Sequence, residues 1–364
     1  MSSAITEIKA IGVYGPEDFT SPKAFTYTPQ YFRSFDVDIE VECCGICGSD
    51  IHTVKGVWGE KPSPTCVGHE IVGKVVAAGP DARFKIGDRV GVGAQADACG
   101  NCTRCNNGHS NMCKKFVSTY ARYYPETGIA SQGGYASHVR TNSKYAFKIP
   151  DKMDSKVASV LMCGGITGFR PLMTADVKKG TRVGVSGIGG IGHMTIMFAK
   201  ALGAEVTAIS RNNKKKDMAL ELGADHYIAT DEEGFEDKYM DSLDVIVNTG
   251  SSFSEGSTSK ILNLLTPFGR MIFITAPPIT ETLTLSPFQL LMSSLSVGGS
   301  AIGSPADIEY MLELAAEHNI QPWIETIDIS EEGVKEAWER MEKGDVKFRF
   351  VLTGYDKYFG TNPT

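Results

Sequence analysis

The sequence predicts an α/β fold in two parts, a partly barrel-like β region and a doubly wound parallel sheet. Three observations predict it. Up to about residue 150, short β-like runs are punctuated at close intervals by Gly and Pro. After Lys156, apolar β-runs alternate with helical periods. A glycine cluster stands at the head of that alternation.

In the first part the β-like runs fall at residues 38–42, 71–77 and 88–92. In the second, β-runs and helical segments follow one another at 183–185, 191–202, 205–209, 214–222, 244–247, 260–265 and 270–274. Strands separated by helical patterns imply right-handed βαβ units. The Pro-rich passage 276–287 reads as a linker or interface loop. Beyond Ser296 come a β-run, an amphipathic helix with Ile308, Met311, Leu312 and Ala315 inward, a second helix near 334–341 and a last strand at 348–352. That tail is assigned back to the first part. The expected domains are therefore 1–155 with 296–364, and 156–295.

A chain of 364 residues favours two domains over one core. Its net charge of −7, without a face-sized basic run, argues against a nucleic-acid partner. The first residues show no basic-then-apolar leader, and no stretch of about 18 uninterrupted apolar residues offers a bilayer span. The expected setting is cytoplasmic, with no membrane partner. Nine cysteines in a reducing compartment point to metal before disulfides.

Cys99, Cys102, Cys105 and Cys113 form a C-x2-C-x2-C-x7-C cluster. Four thiolates within fifteen residues can close a tetrahedral shell around Zn²⁺ through local turns alone. With no open position, that zinc is structural. An iron–sulfur cluster is the competing reading, but the seven-residue gap before the last cysteine and the lack of a following Pro weigh against it.

Three further segments carry donors: Cys43 to His52, Gly68-His69-Glu70 and Cys163-Gly164-Gly165. A catalytic zinc needs about three protein ligands and one open position, which Cys47, His69 and Cys163 would supply. Cys43, Cys44 and Cys66 read as small buried hydrophobes.

The segment Gly187-Ile188-Gly189-Gly190-Ile191-Gly192 follows a β-run and opens a helical one. Gly187, Gly189, Gly190 and Gly192 suit a tight turn and close approach of a dinucleotide pyrophosphate. Where an NAD enzyme presents an acid to the ribose, this chain has Ser210-Arg211-Asn212-Asn213-Lys214-Lys215-Lys216. A hydroxyl, a guanidinium and an ammonium from Ser210, Arg211 and Lys215 would bind a 2′-phosphate, so the cofactor is expected to be NADP(H). A solvated basic helix start is the bland alternative.

Gly-Ile-Cys-Gly-Ser-Asp-Ile-His, Gly-His-Glu, the four-cysteine lobe and Cys-Gly-Gly-Ile-Thr, in that order, resemble the zinc-containing medium-chain alcohol dehydrogenases. The spelling is most similar to the cinnamyl alcohol dehydrogenase branch, including broad-specificity NADPH-dependent yeast enzymes. The resemblance implies a GroES-like catalytic domain joined to a Rossmann domain, two zinc ions per subunit, and reversible reduction of aldehydes, aromatic such as cinnamaldehyde or medium-chain aliphatic, to primary alcohols. By position it makes Cys47, His69 and Cys163 the catalytic zinc ligands, Glu70 a carboxylate able to visit the metal, and Asp50 the residue orienting the ligand histidine. Ser49 matches the hydroxyl on the substrate oxygen. His52 matches the outer end of a proton relay, or is a structural histidine. Thr167 lies near the nicotinamide, or caps the following helix.

Trp58, Tyr120 and Ile302 are candidates for a substrate pocket, with simple packing as the alternative for Trp58. The resemblance also implies a homodimer, with the 294–301 run near the interface. Two rival functions stay open: a zinc dehydrogenase of secondary alcohols or polyols, and a dinucleotide-binding protein without catalysis.

Overall fold

Eleven residues long and buried at all but two positions, the strand Asp36–Ile46 is the spine of one sheet. The computed structural model describes residues 4–250 and 257–361. Within them the spine lies in a seven-stranded sheet ordered Ile324–Asp328, Arg349–Thr353, Asp36–Ile46, Glu70–Ala78, Arg89–Val92, Ala146–Lys148, with His138–Asn142 also paired to the spine. All neighbours are antiparallel except the first pair. Register shifts at Asp38/Ile39 and Val41/Cys43 bend the spine, as β-bulges do, and help the sheet curl. Its apolar filling includes Ile39, Ile71, Tyr135, Trp338 and Phe350.

This sheet belongs to a unit made of residues 1–163, 303–316 and 321–364; a second unit holds 164–302 and 317–320. The second is built on six parallel strands ordered His226–Ala229, Glu205–Ser210, Arg182–Ser186, Leu243–Asn248, Leu265–Phe273, Ser296–Gly299. In chain order that is third, second, first, fourth, fifth, sixth, the doubly wound arrangement of dinucleotide-binding folds. Val183, Val185, Ile246 and Met271 sit in its interior, which is why these strands read as apolar runs. The passage before Pro287 carries no regular element and leads into a short helix, Pro287–Met292.

The helical run Ser155–Thr174 is long and apolar enough to cross a membrane by length and composition, yet most of it is buried inside the protein. Its apolarity is that of a core helix.

Candidate metal and cofactor sites

Strand pairing assembles the buried site. Gly45 lies opposite Glu70 and Phe350 opposite Ile46, so three neighbouring strands deliver Cys47, His69, Glu70 and Arg349 to one end of the sheet. The spine ends at Ile46, and Cys47 caps the helix Gly48–Val54, fixed by its N–H donating to Asp50 Oδ2 at 2.9 Å. Cys163 comes from a π-helical turn, Leu161–Gly165, inside the long helical run. Such wide turns re-aim one side chain without ending the helix.

The ligand atoms of Cys47, His69, Glu70 and Cys163 lie within 4.8 Å of one another, all on buried residues. His69 Nδ1 is engaged, 2.8 Å from the Tyr120 hydroxyl and 3.2 Å from Asp50 Oδ1. His69 Nε2 is buried with no hydrogen-bond partner among the described residues. An imidazole held at one nitrogen and bare at the other, beside two thiols, fits zinc.

The thiols are already polarised. Contact with Cys163, against burial and with help from His69 and Arg349, holds the Cys47 thiol well below its ordinary value. The same contact, with burial, pushes Cys163 well up. Burial disfavours the His69 imidazolium, but Asp50 and Cys47 outweigh it and raise the group. Burial likewise raises Glu70, while Arg349 pulls the other way. The Arg349 guanidinium donates to Glu70 in a fully enclosed ion pair. A Cβ on Gly45 would overlap the Glu70 carboxylate, so only glycine fits there.

Around this cluster, Ser49 Oγ lies 3.7 Å from Cys47 Sγ. His52 stacks at a tilt on Trp58, ring centres 5.3 Å apart. Tyr120, expected at a substrate pocket, is buried with its hydroxyl on the metal-site imidazole. Burial first, and the nearby Asp50 charge next, keep its phenol protonated far above the usual range.

The four-cysteine lobe is folded for a metal. Its sulfurs stand 3.5 Å (Cys99 to Cys113), 3.6 Å (Cys102 to Cys105), 3.9 Å (Cys102 to Cys113) and 4.0 Å (Cys99 to Cys105) apart. A tetrahedron with Zn–S near 2.3 Å requires edges of about 3.8 Å.

In the second unit, Gly187 has φ +93°, and a Cβ on Gly192 would overlap the Gly187 carbonyl. An added Cβ at Gly189 meets no protein atom within 4 Å. With Gly190 between, the loop opens the helix Gly192–Ala201 at the point where the strand order reverses. Ser210 ends the neighbouring strand and Arg211, just beyond, is exposed. Lys215 Nζ donates to the Ile188 carbonyl at 2.6 Å, tying the basic segment to the glycine loop. Burial lowers that lysine from its ordinary value. Thr167 is the second residue of the helix Ile166–Thr174, whose start has no side-chain cap, so the capping alternative drops out. Ile302 has φ +37°, and its carbonyl accepts from Arg170 at 3.2 Å.

Sequence reasoning missed Arg349 and Tyr135, whose hydroxyl donates to Asp50 Oδ2 at 3.1 Å. A signal for the first existed: Arg349 is flanked by Phe348, Phe350, Val351 and Leu352 in a run read as a strand. A charge inside such a run needs a buried partner.

Residues 33–151 match the family model described as alcohol dehydrogenase GroES-like domain, and 190–317 match that described as zinc-binding dehydrogenase. The chain is 44% identical to NADP-dependent alcohol dehydrogenase 6 of Saccharomyces cerevisiae, covering 97% of this chain and 98% of that one. A probable mannitol dehydrogenase of Mesembryanthemum crystallinum is 38% identical over 87% of each. Among solved structures, a cinnamyl alcohol dehydrogenase from Sorghum bicolor superposes with a TM-score of 0.89 at 33% identity, covering 95% of this chain and 97% of that one. A CAD from Helicobacter pylori complexed with NADP(H) gives 0.88 at 31%, covering 96% and 98%.

Proposed function

The chain belongs to the zinc-containing medium-chain alcohol dehydrogenases, in their cinnamyl alcohol dehydrogenase branch, and from that premise we propose the reaction aldehyde + NADPH + H⁺ ⇌ primary alcohol + NADP⁺. The observation that carries it is the buried Cys47, His69, Glu70 and Cys163 cluster with His69 Nε2 left bare. Cys47, His69 and Cys163 would hold the zinc, which would supply Lewis acidity toward the carbonyl oxygen.

The chain's own residues do the rest. Ser49 hydrogen-bonds the substrate oxygen and moves the proton, and His52 carries that proton toward solvent. Asp50 holds the ligand imidazole, and Arg349 holds Glu70 beside it. Gly187, Gly189, Gly190 and Gly192 make room for the pyrophosphate, Thr167 sides the nicotinamide, and Ser210, Arg211 and Lys215 grip the 2′-phosphate. The absence of an acid before Asp217 in that segment supports the phosphorylated cofactor. Cys99, Cys102, Cys105 and Cys113 hold the structural zinc. Trp58 against His52 supports aromatic aldehydes such as cinnamaldehyde.

The same relatives support a second reading, polyol oxidation, through the mannitol-named protein at 38% identity. The chain acts as a homodimer in the cytoplasm; its nine unpaired thiols suit a reducing compartment. The test follows oxidation of NADPH, and separately NADH, by the zinc-loaded protein with cinnamaldehyde, then reduction of NADP⁺ with mannitol. Turnover with NADPH and cinnamaldehyde is expected. Turnover confined to mannitol would transfer the assignment to the polyol reading, and turnover with NADH alone would undo the roles given to Ser210, Arg211 and Lys215.

A further inference from the structure

A histidine that ligates a metal through Nε2 carries its proton on Nδ1, and whatever accepts that proton sets the ring's orientation and basicity. At His69 two oxygens compete for it. The Tyr120 hydroxyl is 2.8 Å from Nδ1, and Asp50 Oδ1 is 3.2 Å away. The Asp50 charge is also felt at the Tyr120 phenol, which it helps keep protonated. With Nε2 on the metal, Nδ1–H is directed at the Tyr120 hydroxyl, with the Asp50 carboxylate close beside it.

Asp50 is heavily committed elsewhere. It accepts from the Cys47 N–H at 2.9 Å, the Gly68 N–H at 3.2 Å and the Tyr135 hydroxyl at 3.1 Å. Those three bonds fix where the carboxylate stands, so Asp50 holds the imidazole from a rigid position. Tyr120 adds a contact of a different kind: its ring packs against the imidazole with centres 5.2 Å apart and planes at 41°. Its backbone is pinned on both sides. Thr119 N–H donates to the Ala94 carbonyl at 3.1 Å, Ala121 N–H to the Ser131 carbonyl at 3.1 Å, and Ser118 Oγ to the Tyr120 carbonyl at 2.6 Å.

We propose that Tyr120 is a positioning residue for the metal site: its hydroxyl and ring, together with Asp50, fix the His69 imidazole so that Nε2 faces Cys47 and Cys163. The inference rests on reading that cluster as the catalytic zinc site.

The test compares wild type, Tyr120→Phe, Asp50→Asn and the double variant. It measures zinc content, zinc affinity by chelator competition, and the visible spectrum after cobalt substitution. Wild type should hold two zinc ions per chain; retention of one alone would overturn the reading of the cluster itself. With two present, Tyr120→Phe should weaken the buried site about tenfold and shift the cobalt bands, leaving the four-cysteine site unchanged. The double variant should lose less than the product of the single losses, because both groups act on one proton. The spectrum reads only folded, loaded protein, so a loss of stability does not mask it. Wild-type affinity and an unmoved spectrum in Tyr120→Phe, with a raised KM for cinnamaldehyde, would overturn the proposal and leave Tyr120 a pocket wall.

Discussion

Arg349 and Glu70 are both enclosed, so neither can exchange its partner for water. Breaking such a pair strands the surviving charge, which costs about 3–5 kcal/mol. Arg349→Met should therefore lower stability by about that much in urea unfolding, and Arg349→Met with Glu70→Gln should recover a large part. A loss of less than about 1 kcal/mol for the single variant would place the pair in the class of solvent-exposed bridges and sink the argument. Arg211 makes the opposite case, because it is exposed, and the role proposed for it is toward a ligand rather than the fold. Arg211→Asp should leave the melting temperature unchanged and weaken NADPH far more than NADH; equal losses would remove it from the 2′-phosphate. The sequence disclosed Arg211 through local spacing from the glycine loop. It hid Arg349, because 279 residues separate that arginine from Glu70 and only strand pairing brings them together.

Elements carry a different kind of constraint. In the glycine loop, Gly192 and Gly189 look alike in sequence but face different neighbours. Gly192 abuts the Gly187 carbonyl of its own turn, whereas a Cβ at Gly189 would enter open space. Gly192→Ala should thus cost about 1–3 kcal/mol of stability through overpacking. Gly189→Ala should melt with wild type and still bind NADPH more weakly, as seen by fluorescence titration. Unchanged NADPH affinity in Gly189→Ala would mean that the pyrophosphate does not lie over this loop. The loop and four of the six strands were legible, since periodicity and glycine spacing are local properties; His226–Ala229 was not named, and the β-run at Ser296–Gly299 was assigned to the other part although it pairs with Leu265–Phe273. The π-turn that aims Cys163 was not legible: Cys163 could be named as a ligand from its chemistry, but nothing in Leu161–Gly165 distinguishes a wide turn from an ordinary helix. The three-strand junction that gathers Cys47, His69 and Glu70 was equally silent, because register is a long-range property.

At the scale of the whole molecule, the second unit has a sheet edge and an exposed apolar patch with no partner among the described residues. Among the described residues, Ser296–Gly299 is paired on one side only, to Leu265–Phe273. Beside it, the helix Pro287–Met292 exposes Phe288, Leu291 (74% exposed) and Met292. Phe268, also exposed, is tied to that helix end by its N–H donating to the Ser293 carbonyl at 2.9 Å. Bare edge strands and clustered large apolar side chains invite pairing, and a second copy meeting edge to edge about a two-fold axis would cover both at once. Sedimentation should give twice the 39.3 kDa chain mass for wild type. Leu291→Asp places a charge at the centre of the patch and should shift the protein toward the single-chain mass, with the zinc content unchanged. A wild-type chain that sediments alone at micromolar concentration would leave this edge to some other partner. A Leu291→Asp protein that stays paired would place the two-fold contact elsewhere on the unit.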